Sequence, residues 1–324
     1  MSSKKKNLLV IDCDAGVDDA HALMVALSNH DTEVLAITCV KGNVNVDQVW
    51  YNVHRVLDAC DRPEVPVYKG APKPLLTDLP ETAFHGKDGL GDVPPPPDFT
   101  IDPGHQRSEH AVDMLISLAD QYPGLISLVA IAPLTNLALA EKMAPGFSAK
   151  LKGVFIMGGN MHGRGNANPC GEYNFYQDPE AAYIVLDSYQ CPVTMVTWEL
   201  TMATEVPFKW IDGLMQKPTK KSRFLHAISQ HSYKIMSDEK LKVEFFCIDS
   251  TGWNCCDALA VTLAIDPSII TDAKLCPCSV SLEGVTRGQM IVDWHSVWAD
   301  KRKRTVVQSV NMDRYKELLA SCVE

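Results

Sequence analysis

The sequence predicts an α/β fold: an open, mostly parallel, Rossmann-like sheet flanked by helices, with extra helices and short strands toward the C-terminus. Two observations predict it. Short, wholly apolar runs alternate with stretches of helical period as far as about residue 200. Polar residues able to do chemistry collect just past the ends of those runs, the edge at which open parallel sheets bind ligands.

Leu8, Leu9, Val10 and Ile11 read as a buried strand ending in Asp12 and Asp14. Ala15 and Gly16 turn the chain into a helix over 17–27, with Val17, Ala20, Leu23, Met24 and Leu27 on one face and Asp18 and Asp19 in its first turn. A second buried strand over 33–40 ends at Lys41, Gly42 and Asn43, and helical period returns over 46–60. Residues 61–107 concentrate Pro and Gly and include four consecutive prolines at 94–97. They are expected to form one long ordered loop near the site, with His85 inside it. A helix over 109–118, a strand over 125–131, a helix opening near Pro133 and a strand over 153–157 follow. A Gly- and Asn-rich loop runs to Asn174, after which Asp178 and Pro179 open a helix as cap and first residue. Residues 192–196 form a further strand. Beyond it, 208–241 reads as mostly helical and 257–265 as a buried helix entered through Asp257. Short strands over 279–282, 289–292 and 305–310 precede a final helix from Asp313. Alternation resumes on both sides of the long loop, so residues 1–324 are expected to form a single domain.

The totals exclude several classes of function. An apolar fraction of 46% is ample for a core, and a net charge of −10 with scattered basic residues argues against nucleic acid as a partner. The N-terminus has positive charge but no apolar segment before the first strand, and no apolar run reaches about 18 residues. Neither a secretory signal nor a membrane span is expected. Eleven cysteines at irregular spacing fit reduced thiols in a cytoplasmic protein.

Four carboxylates within eight residues, Asp12, Asp14, Asp18 and Asp19, repel one another at a strand end. Helix capping accounts for Asp18 or Asp19, but not for Asp12 and Asp14 as well. Such a cluster calls for a cation or a set of donors, and hard oxygen ligands favour calcium or magnesium over zinc. Asp257 alone reads as a helix cap unless the fold brings it to the Asp14 edge. Asn166, Asn168, Glu172 and Asn174 share one loop; it is either a solvated surface or a grip for sugar hydroxyls. Cys255, Cys256, Cys276 and Cys278 lack zinc-site spacing and read as buried small hydrophobes.

The opening motif, Asp12-Cys13-Asp14-Ala15-Gly16-Val17-Asp18-Asp19-Ala20, closely resembles the Asp-x-Asp-Pro-Gly-x-Asp-Asp-Ala signature of the inosine–uridine-preferring nucleoside hydrolases, with Ala15 in place of the usual Pro. The resemblance continues through Gly42-Asn43, His85-Gly86-Lys87-Asp88-Gly89-Leu90-Gly91, Pro133-Leu134-Thr135-Asn136, Met157-Gly158-Gly159, Glu172-Tyr173-Asn174, Asp178-Pro179-Glu180, Cys256-Asp257-Ala258 and Thr286-Arg287-Gly288-Gln289. It implies the nucleoside hydrolase fold and calcium-dependent cleavage of the N-glycosidic bond of ribonucleosides. The reaction would pass through an oxocarbenium-like state, with Asp14 as the base that activates a calcium-bound water. By the same resemblance, Asp14, Asp19, Asp257 and the backbone carbonyl of Ile131 are the calcium ligands. Asp18 and Asn174 match contacts to the ribose 2′- and 3′-hydroxyls, and Asn166 and Glu172 match contacts to the 5′-hydroxyl. Met157 and Asp257 belong to the substrate-binding set, and Asn43 helps hold water and ribose. Members are commonly homodimers or homotetramers.

In many members a His precedes the last calcium Asp as leaving-group acid; in others a Trp there stacks on purines. This chain has Cys256, a poor acid with an ordinary pKa of about 8.5. Tyr233, His85, His226, His231 and Trp253 are the alternatives, with Tyr233 and His85 taken as catalytic candidates. Two competing readings stand beside this one. A magnesium-dependent haloacid-dehalogenase-like phosphatase would use Asp12 as nucleophile. A non-catalytic nucleoside or ribose sensor would keep the pocket without turnover.

Overall fold

β1 (Asn7–Cys13) is the strand from which the sheet grows in both directions. The computed structural model describes residues 6–245 and 250–324. After β1 come α1 (Val17–Ser28), β2 (Thr32–Cys39), α2 (Val46–Ala59) and β3 (Val67–Lys69). The chain continues through α3 (Ala111–Gln121), β4 (Ile126–Ala130), α4 (Thr135–Met143), β5 (Gly153–Met157), α5 (Tyr173–Gln177), α6 (Pro179–Ser188) and β6 (Val193–Val196). A helical stretch follows: α7 (Trp198–Ala203), α8 (Phe208–Met215), α9 (Lys220–Ser237), α10 (Glu239–Glu244) and α11 (Cys256–Ile265). Then come β7 (Ile270–Val280), β8 (Met290–Val292), β9 (Lys303–Val310) and α12 (Met312–Ser321).

The strand order is β3-β2-β1-β4-β5-β6-β9-β7-β8. Every pairing from β3 to β9 is parallel, and β7 and β8 add an antiparallel flank. The chain first winds outward from β1 to β3, then crosses back to place β4 on the other side of β1. The crevice between β1 and β4 is thus a topological switch point, where open sheets take their ligands. Among the described residues no helix is long and apolar enough to cross a membrane.

Two strands differ from expectation, and the short helices α5 and α7 fall where none is expected. β3 lies inside the predicted long loop, because three residues are too few to show a period. β7 begins at residue 270 rather than 279. Its first half is exposed and carries Asp272 and Lys274, so an edge position hides it from a search for apolar runs.

α11 matters most for the site. Nine of its residues, Cys256 to Ala264, are buried, and it packs against α1, β4 and β5. A helix apolar on all sides belongs in a core, and this one carries Asp257 to the same sheet edge as Asp14.

α2 holds a buried titratable group away from that edge. Burial pushes the His54 imidazole down to about 4, and its Nε2 has no partner among the described residues. The unfolded chain therefore binds the extra proton first. The stability that His54 contributes is present above pH 6.5 and lost as pH falls toward 4. We expect denaturant midpoints to fall over that window, and to fall less in His54→Leu.

Candidate active site

The carboxyl end of β1 divides its carboxylates by direction. Asp12 points into the sheet: its Oδ1 accepts from Thr38 Oγ1 at 2.6 Å and Asn136 Nδ2 at 2.8 Å. Asn136 also donates to the Cys39 carbonyl and accepts from the Ala71 N–H, tying β1, β2 and α4 together beneath the site. Burial pushes Asp12 up to about 7. It does not line the cavity described below, so it is not placed as the nucleophile that the phosphatase reading requires.

Asp14 and Asp19 face each other across the turn. Asp14 N–H donates to Asp19 Oδ1 at 3.2 Å, and Gly16 N–H donates to Asp19 Oδ2 at 2.8 Å. Asn43 N–H, in the loop after β2, donates to Asp14 Oδ2 at 2.7 Å. The turn needs Ala15 at a φ of +43°, with Asn52 Nδ2 donating to its carbonyl at 3.2 Å. Proline's ring fixes φ near −65°, so the Pro of the resembling motif could not take this turn. The Ala15 replacement thus has a backbone consequence.

Gly42 lies against Asp14: a Cβ there would sit 2.0 Å from Asp14 Oδ2, too close to be accommodated without moving the carboxylate. Gly42→Ala is expected to lower turnover by about 100-fold, the scale of a misplaced catalytic group, with little change in melting temperature. Steady-state kinetics and thermal melts check it.

Asp18 projects from the first turn of α1 into the cavity. Its Oδ2 accepts from Cys256 Sγ at 2.9 Å, and its Oδ1 lies 3.4 Å from His85 Nε2. His85 Nδ1 accepts the Val17 N–H at 3.2 Å, which places the proton of the neutral ring on Nε2. Burial lowers the His85 pKa and keeps it neutral. Burial, followed by the neighbouring Asp18 charge, pushes the Cys256 thiol well up. Cys256 therefore meets a carboxylate, whereas the sequence suggested a small hydrophobe.

The loop after β5 supplies the opposite wall. Glu172 caps α5: its Oε1 accepts from Asn174 N–H at 2.8 Å, and its Oε2 from Gly159 N–H at 2.7 Å and Phe175 N–H at 3.1 Å. Burial still pushes it up to about 7. Asn174 Nδ2 donates to the Met157 carbonyl at 3.1 Å, and Asn166 Oδ1 accepts from Tyr173 N–H at 2.8 Å. Asn168 turns inward and shapes the loop through the N–H groups of Cys170 and Gly171.

These parts enclose a cavity of about 410 Å³. Asp14, Asp18, Asn43, His85, Ile131, Met157, Asn166, Glu172, Asn174 and Asp257 all line it, together with Cys256 and Trp253. Asp19 sits behind that wall. Tyr233, His226 and His231 do not line the cavity: Tyr233 OH donates to Asp212 Oδ2 at 3.2 Å, and His231 Nε2 pairs with the Ala83 carbonyl. α9 instead contributes Ser232 and Met236. Sequence reasoning passed over Tyr173, whose hydroxyl donates to the Gly42 carbonyl at 2.9 Å. It also passed over the aromatic wall of Phe84 and Trp198. Tyr173 lies between two expected site residues, which was the available signal.

The donor set suits a cation. Burial pushes Asp14 up to about 8, and pushes Asp19 and Asp257 well above the usual carboxylate range, with repulsion from neighbouring carboxylates adding to each. Ligand atoms of Asp18, Cys256 and Asp257 also lie within 4.8 Å of one another, a trio that shares only Asp257 with the four ligands the resemblance implies. Buried carboxylates crowded in this way fit a metal ion that offsets their charge.

Comparison with known proteins agrees with this geometry. The family model "Inosine-uridine preferring nucleoside hydrolase" matches residues 9–317. The chain is 33% identical to the inosine-uridine preferring nucleoside hydrolase of Leishmania major, over 98% of this chain and 97% of that protein. It is 32% identical to the pyrimidine-specific ribonucleoside hydrolase RihA of Klebsiella pneumoniae, over 96% of each. Among solved structures it resembles a purine-preferring ribonucleoside hydrolase from Gardnerella vaginalis, with a TM-score of 0.86 and 31% identity over 98% of both chains. With the sheet, the switch-point cavity and the family match in agreement, the chain belongs to the inosine-uridine preferring nucleoside hydrolase family.

Proposed function

We propose that the protein cleaves the N-glycosidic bond of ribonucleosides to free base and ribose, with calcium as its metal and Asp14 as the base. The observation that carries this reading is one cavity that gathers Asp14, Asp18 and Asp257 from two distant segments opposite Asn166, Glu172 and Asn174. Carboxylates and amides lining one cavity suit a ribose and the positive charge that develops on it as the glycosidic bond breaks.

Asp14, Asp19, Asp257 and the Ile131 carbonyl would hold the calcium ion. Bound there, it would offset the carboxylate repulsion, clamp the sugar diol and make a water molecule more acidic. Asp14 accepts the proton of the attacking water, and the Asn43 N–H keeps the Asp14 carboxylate aimed into the cavity. Asp18 and Asn174 meet the 2′- and 3′-hydroxyls; Asn166 and Glu172 meet the 5′-hydroxyl. Glu172 spends its two oxygens on three N–H groups, so it binds from a rigid position. Met157 contributes to the substrate-binding wall, and Phe84, Trp198 and Trp253 line the same cavity and offer apolar faces to the base.

The test is a reducing-sugar assay over purine and pyrimidine ribonucleosides, with 2′-deoxyribonucleosides as controls. Ribonucleosides are expected to be cleaved, and the 2′-deoxy substrates about 100-fold more slowly, the loss of a hydrogen bond to a charged group. Ribose binding without base release across the panel would overturn the reading in favour of a sensor.

A further inference from the structure

We propose that Cys256 is a positioning residue: its thiol, with the His85 ring, holds the Asp18 carboxylate in the orientation that reads the ribose 2′-hydroxyl. This rests on the functional reading above and assigns a role to the position at which the chain departs from the His- and Trp-bearing members of its family.

The geometry is specific. A carboxylate only accepts, so the 2.9 Å contact from Cys256 Sγ to Asp18 Oδ2 has the thiol as donor. Cys256 opens α11, whose burial fixes its backbone, so the donor stands on a rigid element. On the other oxygen, Asp19 N–H donates to Asp18 Oδ1 at 3.2 Å, and the proton-bearing Nε2 of His85 faces it at 3.4 Å. The missing side chain at Gly16 makes room for this packing: a Cβ there would meet both Asp18 Oδ1 and His85 Cδ2 at 3.0 Å. Both Asp18 oxygens thus have a protein partner. Each oxygen keeps acceptor capacity for a hydroxyl. The thiol hydrogen is committed to Asp18, so the sulfur serves the sugar side of the cavity and does not supply the proton of the leaving base.

The test compares wild type, Cys256→Ala and Cys256→Ser on a ribonucleoside and its 2′-deoxy analogue, with inhibition by ribose and 2-deoxyribose as the binding readout. Serine keeps a donor at this position; alanine does not. Cys256→Ala is expected to lose about 10-fold or more in kcat/KM on the ribonucleoside, and to lose ribose inhibition in parallel. Activity on the 2′-deoxy analogue and inhibition by 2-deoxyribose should fall by much less. Cys256→Ser should recover most of the loss. An equal loss on both substrates, or a serine variant as impaired as the alanine variant, would overturn the positioning role. A wild-type protein that released no base from any nucleoside would instead overturn the functional reading, and the positioning role with it.

Discussion

Asp14→Asn is expected to lower ribose release by about 1,000- to 10,000-fold, the upper range for removing a general base, while leaving the fold intact. The asparagine side chain is nearly isosteric, and its carbonyl oxygen can still accept the Asn43 N–H that now bonds Asp14 Oδ2. What it lacks is the capacity to take a proton from water. Asp14 is a buried acid pushed up to about 8, chiefly by burial and then by repulsion from Asp18. In metal-free protein the neutral asparagine carries none of that cost, so the melting temperature there should hold or rise, as is common for active-site substitutions. Initial rates, near-UV circular dichroism and a thermal melt together check the expectation. Near-normal turnover would remove Asp14 from its role as base.

Chelation is expected to have the second largest effect. Purified protein should carry about one calcium ion per chain, one oxygen-ligand set's worth. Treatment with a calcium chelator followed by desalting should reduce turnover by at least about 100-fold, and added calcium should restore it. The reason is electrostatic: Asp14, Asp19 and Asp257 are buried together, and each is pushed up by burial and by its neighbours. Without a cation one or more of them takes up a proton, and Asp14 then no longer accepts one from water. Asp257→Asn should lower the metal content by elemental analysis while α11 stays folded, because the rest of the helix is held by apolar burial. Full activity in metal-free protein would contradict this account.

Much of the architecture was legible because it rests on local patterns. Apolar runs gave the parallel strands β1, β2, β4, β5 and β6, helical period gave α1 and α2, and the apolar run entered through Asp257 gave α11. The strand-end cluster Asp12 to Asp19 announced the site before any fold was known. Two strands escaped for the same reason in opposite forms: β3 is too short to show a period, and the exposed half of β7 shows no apolar run. Within the cluster, sequence could not tell Asp12, which turns into the sheet toward Thr38 and Asn136, from Asp14, which turns into the cavity. Nor could it show that Tyr233 points to Asp212.

By itself, then, the sequence determined the α/β class, the family resemblance and the chemical character of the site, because hydrophobic period and short motifs are properties of neighbouring residues. The tertiary structure alone decided which of those residues meet. Cys256 and Asp18 are 238 positions apart, and only the burial of α11 against α1 brings a thiol onto that carboxylate. Such contacts depend on how whole elements pack, and that packing is set by the summed burial of the core rather than by any local signal at the two residues.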